Sequence, residues 1–146
     1  MSTGPIQKIL ASVDLSSCSR AALEFACKLA APLGASVEVL FVRPLHAVTP
    51  GAGPETSKAE ELAAARDELH RFVTSIPVAQ GVKLGERVDA GDARERIVAI
   101  AEKEGFEVIV LGTHGRTGRL RALAGSVAEA VVRTAACPVI TVREAR

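Results

Sequence analysis

The residues best suited to hold a charged ligand lie in one stretch, Gly112-Thr-His-Gly115-Arg-Thr-Gly-Arg-Leu-Arg-Ala-Leu-Ala-Gly125-Ser126. Its glycines allow close backbone approach and positive φ. Gly125 and Ser126 stand where a helix is expected to begin, and unpaired N–H groups and the helix dipole attract an anion there. The Ser126 hydroxyl can donate to a phosphate oxygen, and a phosphate at this place would be held largely by backbone N–H groups. The stretch has no P-loop lysine, and G-x-x-x-x-G-K-[ST] occurs nowhere in the chain. GAGPET at 51–56 approaches G-x-G-x-x-G but lacks the third glycine and does not lead from a strand into a helix, so it is set aside. Arg116, Arg119 and Arg121 put three cations within six residues, which suits either phosphate screening or a solvated surface. His114 is a candidate for proton transfer, but no paired carboxylate or second base lies near it in sequence.

These residues need a scaffold, and the pattern of the chain supplies one. Ile6–Val13 reads as a strand that delivers Asp14. Ser16 and Ser17 offer N-cap oxygens; Ala22, Phe25, Ala26, Leu29, Ala30 and Leu33 follow at helical spacing, and Gly34 closes the helix. Ser36–Val42 reads as a second strand. Residues 44–54 hold three of the seven prolines and two glycines and form a loop. A helix is expected from near Glu55, with an apolar stripe of Leu62, Ala65, Leu69, Phe72, Val73 and Ile76, ended by Pro77. Val82–Val88 is a weaker third strand. Asp92 and Glu95 form a capping box for a helix whose buried face is Ala93, Ile97, Ile100 and Ala101, and Gly105 closes it. Phe106–Leu111 is a fourth strand, apolar on both faces at its end as a central parallel strand would be. Ser126 and Glu129 repeat the capping box, and Pro138–Val142 is the last strand.

Five strands alternating with four helical segments imply right-handed crossovers and a mostly parallel sheet covered on both faces. Ligands of such open α/β sheets sit beyond the carboxyl ends of the strands, where chain order reverses. Asp14 and the glycine-bearing stretch after the fourth strand both fall there. The last strand, four residues from the end of the sequence, is expected at an open edge, which needs a partner.

Gly112-x-x-Gly115, nine intervening residues and Gly125-Ser126 resemble the G-2x-G-9x-G-(S/T) pattern of nucleotide-binding universal stress proteins. The resemblance covers essentially the whole chain. Lys8-Ile9-Leu10 with Val13-Asp14 is similar to the first strand of that family, and Ser16, Ser19 and Ala22-Leu23 to its first helix. GTHGRTG, GSVAE and Cys137-Pro138-Val139 are similar to its closing third. The resemblance implies a five-stranded parallel sheet of order 3-2-1-4-5, the adenine-nucleotide alpha-hydrolase-like arrangement, with strands one and four adjacent. It implies that Asp14 meets the adenine or ribose side of ATP and that the backbone of Val42 meets the adenine edge. Gly112, Gly115, Gly125 and Ser126, with the Val127 amide, would hold ribose and phosphates. Ser12, Val13, Leu111 and Arg116 flank these and complete the expected contact set. The implied ligand is ATP, with AMP or ADP as variants and magnesium alongside. The implied assembly is a homodimer through the last strand.

Two other functions stay open on the same fold. One is a slow ATPase or self-phosphorylating protein with Ser126, Thr113 or Thr117 as acceptor; phosphoryl transfer needs mainly positioning and charge stabilisation. No magnesium-binding carboxylate cluster can be picked from the sequence, which ranks it lower. The other is an interaction module that uses no nucleotide.

Composition narrows the field. At 146 residues the chain is about one domain, spanning 1–146. Hydrophobic residues are 48% and charged residues 24%, as in an ordinary soluble globular domain. Net charge is +1, from 18 basic and 17 acidic residues, too balanced for a nucleic-acid binder that draws on phosphate neutralisation. With no Trp, no Tyr and four Phe, base stacking on aromatic platforms is not expected. Cys18, Cys27 and Cys137 make no disulfide framework, and they read as reduced, packed thiols of a cytoplasmic protein. His46, His70 and His114 are scattered, without zinc-site spacing. Met1–Pro5 is short and polar, so no signal peptide is expected, and no apolar run approaches the roughly 18 residues of a membrane span.

Overall fold

The computed structural model describes residues 4–44, 54–114 and 126–144. In chain order the elements are β1 (Lys8–Val13), α1 (Ser17–Leu33), β2 (Ser36–Arg43), α2 (Pro54–Thr74), a 3-10 turn (Pro77–Gly81), β3 (Leu84–Ala90), α3 (Ala93–Glu104), β4 (Val108–Gly112), α4 (Ser126–Thr134) and β5 (Val139–Val142). All strand pairs are parallel, and the sheet order is β3-β2-β1-β4-β5. This is the order implied by the family resemblance, and it puts β1 beside β4 and leaves β3 and β5 at the two edges.

Alternation along the strands builds two cores. Ile9, Ala11 and Val13 of β1, Val37, Val39 and Phe41 of β2, and Val108 and Val110 of β4 pack on one face with α1 and α2. Leu10, Leu40, Val42, Ile109 and Leu111 pack on the other with α3 and α4. Each fully buried Leu, Ile or Val side chain contributes about 1.5–3 kcal/mol, so central strands apolar on both faces anchor the fold. Of the stripe expected on α2, Ala65, Leu69 and Val73 are buried and Phe72 is half-buried against them; Leu62 is half-buried, and Ile76 is buried just past the end of the helix.

The helix ends follow local rules. Ser16 caps α1, its hydroxyl accepting the Ser19 N–H at 3.1 Å. Gly34 closes α1 at φ 65°, and Gly105 closes α3 at φ 71°, the left-handed region that a side chain would strain. Asp92 caps α3, but its carboxylate takes the Arg94 N–H at 2.9 Å rather than that of Glu95. The Arg94 guanidinium grips the same carboxylate at 2.7 and 3.0 Å, which turns it that way.

Element limits differ from the sequence pattern mostly by a residue or two. β1 starts at Lys8, not Ile6. The third strand runs over Leu84–Ala90 instead of Val82–Val88, because Pro77 opens a 3-10 turn and β2 offers partners only from Val37↔Leu84 to Arg43↔Ala90. Ser126, expected to cap the last helix, is the first residue of α4.

Candidate functional site

Register brings the expected residues to one rim. Ser12 pairs with Leu40 on one side and with Leu111 on the other. Two residues further on, Asp14, Val42 and Thr113 therefore reach the same level past the end of the sheet. Side-chain alternation places Ser12 and Asp14 on the same face as Leu10, the face covered by α3 and α4. The start of α4 comes to this rim from above β4.

A hollow of about 140 Å³ opens there. Ser12, Val13, Asp14, Val42, Leu111, Gly112, Ser126 and Val127 line it, all of them expected contact residues. A cavity of about 150 Å³ accepts a benzene ring, so this one has room for an aromatic ring system whose polar portion extends outward. Gly115, Arg116 and Gly125, also in the expected set, lie outside the described residues, as do Thr117, Arg119 and Arg121. Among the described residues Ser19, Ala93, Thr113, His114 and Ala128 also line it, and they were not among the expected contacts. Ala93 arrives because α3 starts at the same rim, a consequence of the Asp92 cap that sequence displays. Thr113 and His114 were visible as the x-x of Gly112-x-x-Gly115.

The chemistry of the lining is mixed. Asp14 supplies a carboxylate, and its Oδ1 accepts the Ser16 N–H at 3.0 Å, so it also organises the entry to α1. The turn is tight: Leu15 between them has φ 66°, a conformation unusual for leucine. α4 presents its N-terminal end, with partial positive charge, through Ser126 and Val127. Thr113 is buried, and its hydroxyl lies 2.8 Å from His114 Nδ1. A hydroxyl so placed is poorly exposed for phosphoryl transfer, which weakens Thr113 as an acceptor. The apolar walls are Val42, Leu111, Val127 and Ala128.

Gly112 also has a packing reason for being glycine. Its φ is not in the positive region. A Cβ built on it would stand 2.8 Å from Cys18 Sγ and 3.1 Å from the Cys18 carbonyl carbon and oxygen. Gly112 thus lets β4 pack directly on the first turn of α1, and this contact holds the two sides of the hollow together.

Among the described residues, no group of three or more His, Cys, Asp or Glu side chains could hold a metal ion. A magnesium ion arriving with a nucleotide would rest on the phosphates and water, as this hard ion commonly does.

A model of the universal stress protein family matches residues 5–143. The chain belongs to the universal stress protein family. Among curated universal stress proteins, MJ0531 of Methanocaldococcus jannaschii is 33% identical over 140 residues, covering 94% of this chain and 82% of that protein. The universal stress protein UspA from Lactobacillus plantarum superposes with a TM-score of 0.81 at 27% identity, covering 97% of this chain and all of the other. A universal stress protein from Archaeoglobus fulgidus, solved in complex with dAMP, has a TM-score of 0.66 at 28% identity, covering 94% and 97% of the two chains. The universal stress protein described here shares with them the adenine-nucleotide alpha-hydrolase-like sheet order.

Proposed function

We propose that this universal stress protein, as one domain over residues 1–146, is a cytoplasmic regulatory module of the stress response that binds ATP in the hollow at the β1–β4 rim. The observation that carries the reading is the convergence of Asp14, Val42, Gly112, Ser126 and Val127 on one hollow. The carboxylate suits ribose hydroxyls or a purine amine, the apolar walls suit a purine ring, and the N-terminal end of α4 suits phosphate. The dAMP complex of the Archaeoglobus fulgidus relative supports an adenine nucleotide as the ligand class. The Gly115, Arg116 and Gly125 part of the motif supports a phosphate cradle, and magnesium would be carried on the phosphates of ATP.

Three further features support the biological setting. Cys18, Cys27 and Cys137 are all unbridged, as in a reducing compartment. No helix among the described residues is long and apolar enough to cross a membrane. β5 is an edge of the sheet, with Val139, Ile140 and Val142 half-buried, which suits a homodimer that pairs β5 with its twin.

Calorimetric titration with ATP and magnesium, coupled to mass spectrometry of any ligand released from freshly purified protein, tests the reading. Saturable heat, or an adenine nucleotide in the released fraction, is the expected result. No heat, no thermal shift and no released nucleotide would leave a non-nucleotide interaction module as the better account.

A further inference from the structure

His114 lines the hollow, yet its polar atoms are used unevenly. Nδ1 is 2.8 Å from the Thr113 hydroxyl. Nε2 is buried and has no hydrogen-bond partner among the described residues. Buried polar atoms are nearly always paired, and one left over beside a cavity calls for an occupant of that cavity. The surroundings of Thr113 decide which kind of occupant. The Thr113 hydroxyl has one proton to give and two neighbours, His114 Nδ1 at 2.8 Å and Cys18 Sγ at 3.9 Å. The imidazole nitrogen is the stronger acceptor and much the closer. Thr113 is fixed from behind: its N–H donates to the Val142 carbonyl at 3.0 Å, and the Cys18 thiol donates to the same carbonyl at 3.5 Å. With Thr113 donating to Nδ1, a neutral imidazole carries its proton on Nε2.

We propose that His114 is a ligand-contacting specificity residue: its Nε2–H donates to an acceptor oxygen of the bound nucleotide, and Thr113 is the positioning residue that keeps the proton on that nitrogen. The proposal rests on the nucleotide reading above and deepens it. Asp14, the carboxylate of the same hollow, can only accept hydrogen bonds when ionised. Asp14 and His114 would thus form an acceptor–donor pair across the hollow. The pair selects a ligand that presents donors, such as ribose hydroxyls, to one side and acceptors to the other.

Two measurements test this. In calorimetric titrations with ATP and with AMP, His114→Leu should weaken binding roughly tenfold to hundredfold, the range of a hydrogen bond to a charged or strongly polar acceptor. His114→Gln, whose amide nitrogen can reach the Nε2 position, should stay within about threefold of the parent. Adenosine run beside AMP locates the acceptor. If His114→Leu weakens AMP and spares adenosine, the oxygen is on phosphate; if it weakens both, the oxygen is on ribose. The second measurement is the nitrogen-15 spectrum of the His114 ring in the ligand-free protein at a pH where the ring is neutral. It should show the proton on Nε2, and Thr113→Val should lower that population while the far-ultraviolet dichroism is unchanged. Equal ATP binding by the parent and His114→Leu, or a parent ring carrying its proton on Nδ1, overturns the proposal. If the parent protein binds neither ATP nor AMP, the nucleotide reading falls, and this inference with it.

Discussion

Replacing Gly112 with alanine tests the packing that holds the site together. The added Cβ would lie 2.8 Å from Cys18 Sγ and 3.1 Å from the Cys18 carbonyl carbon and oxygen. The sulfur can turn away, but the backbone of α1 cannot move without shifting the helix. Overpacking of this kind costs about 1–3 kcal/mol. Alanine also restricts the unfolded chain and returns about 0.4–1 kcal/mol. At the middle of both ranges the net loss is about 1.3 kcal/mol, which for a chain of this size lowers Tm by about 3–5 °C. Urea unfolding followed by far-ultraviolet dichroism reads the same loss as a lower midpoint at constant slope. The double variant Gly112→Ala with Cys18→Ala should recover only part of it, relative to Cys18→Ala alone, because the carbonyl contacts persist. A Gly112→Ala protein as stable as its parent would refute the reasoning, and so would full recovery in the double variant.

Other outcomes follow from the same structure. Ser16→Ala removes the hydroxyl that accepts the Ser19 N–H and should cost about 1 kcal/mol, read from the urea midpoint. Burial pushes the Cys27 thiol up to about 11, helped by the nearby Glu24 carboxylate. At pH 8 about one Cys27 in a thousand is thiolate, so a disulfide reagent should spare Cys27 in the native protein and label all three cysteines only after unfolding. Fast native labelling of Cys27 would contradict its burial. The Glu104 carboxylate is held below its ordinary 4.5, chiefly by the hydrogen bonds from Arg87, which pairs with Glu104 and with Glu38. A carboxylate with a lowered folded value contributes stability above its unfolded value and loses it as pH falls through the folded one. Stability should therefore decline below about pH 4.5, and Arg87→Gln should flatten that decline in urea midpoints measured from pH 7 to pH 3.

Much of this fold is legible in the sequence because local rules and tertiary demand agree. Ser16, Gly34, Asp92 and Gly105 mark helix ends at the residues where the helices do begin and end. The runs around Leu10, Leu40 and Val110 are apolar on both faces because all three strands are central. β3 is harder to place: it is an edge strand with Gly85, Glu86, Arg87 and Asp89 in it, and its limits come from pairing with β2. The strand order came from the family resemblance, since alternation alone gives parallel strands without their sequence across the sheet.

The candidate site was legible where chemistry is carried by residue type and motif spacing, as with Asp14, Gly112 and Ser126. It was hidden where distant segments meet. Nothing about Cys18 in sequence says that its backbone touches Gly112, so the packing role of Gly112 is not legible beside its expected place in the ligand loop. Leu15 carries no signal for its φ of 66°, because leucine seldom adopts that conformation. The unequal use of the two His114 ring nitrogens depends on Thr113 being locked against Val142, a residue distant in sequence that the strand pair Gly112↔Val142 brings alongside.

Titrating nitrogen-15-labelled protein with ATP and magnesium, and following the backbone amides, shows residue by residue whether the β1–β4 rim holds an adenine nucleotide. The shifts should gather on residues 12–14, 42, 111–114 and 126–128. The amides of Arg66, His70 and Glu86, which line a separate hollow between α2 and β3, should stay in place. Shifts centred on that second hollow, or a spectrum that ATP leaves unchanged, would contradict binding at the rim.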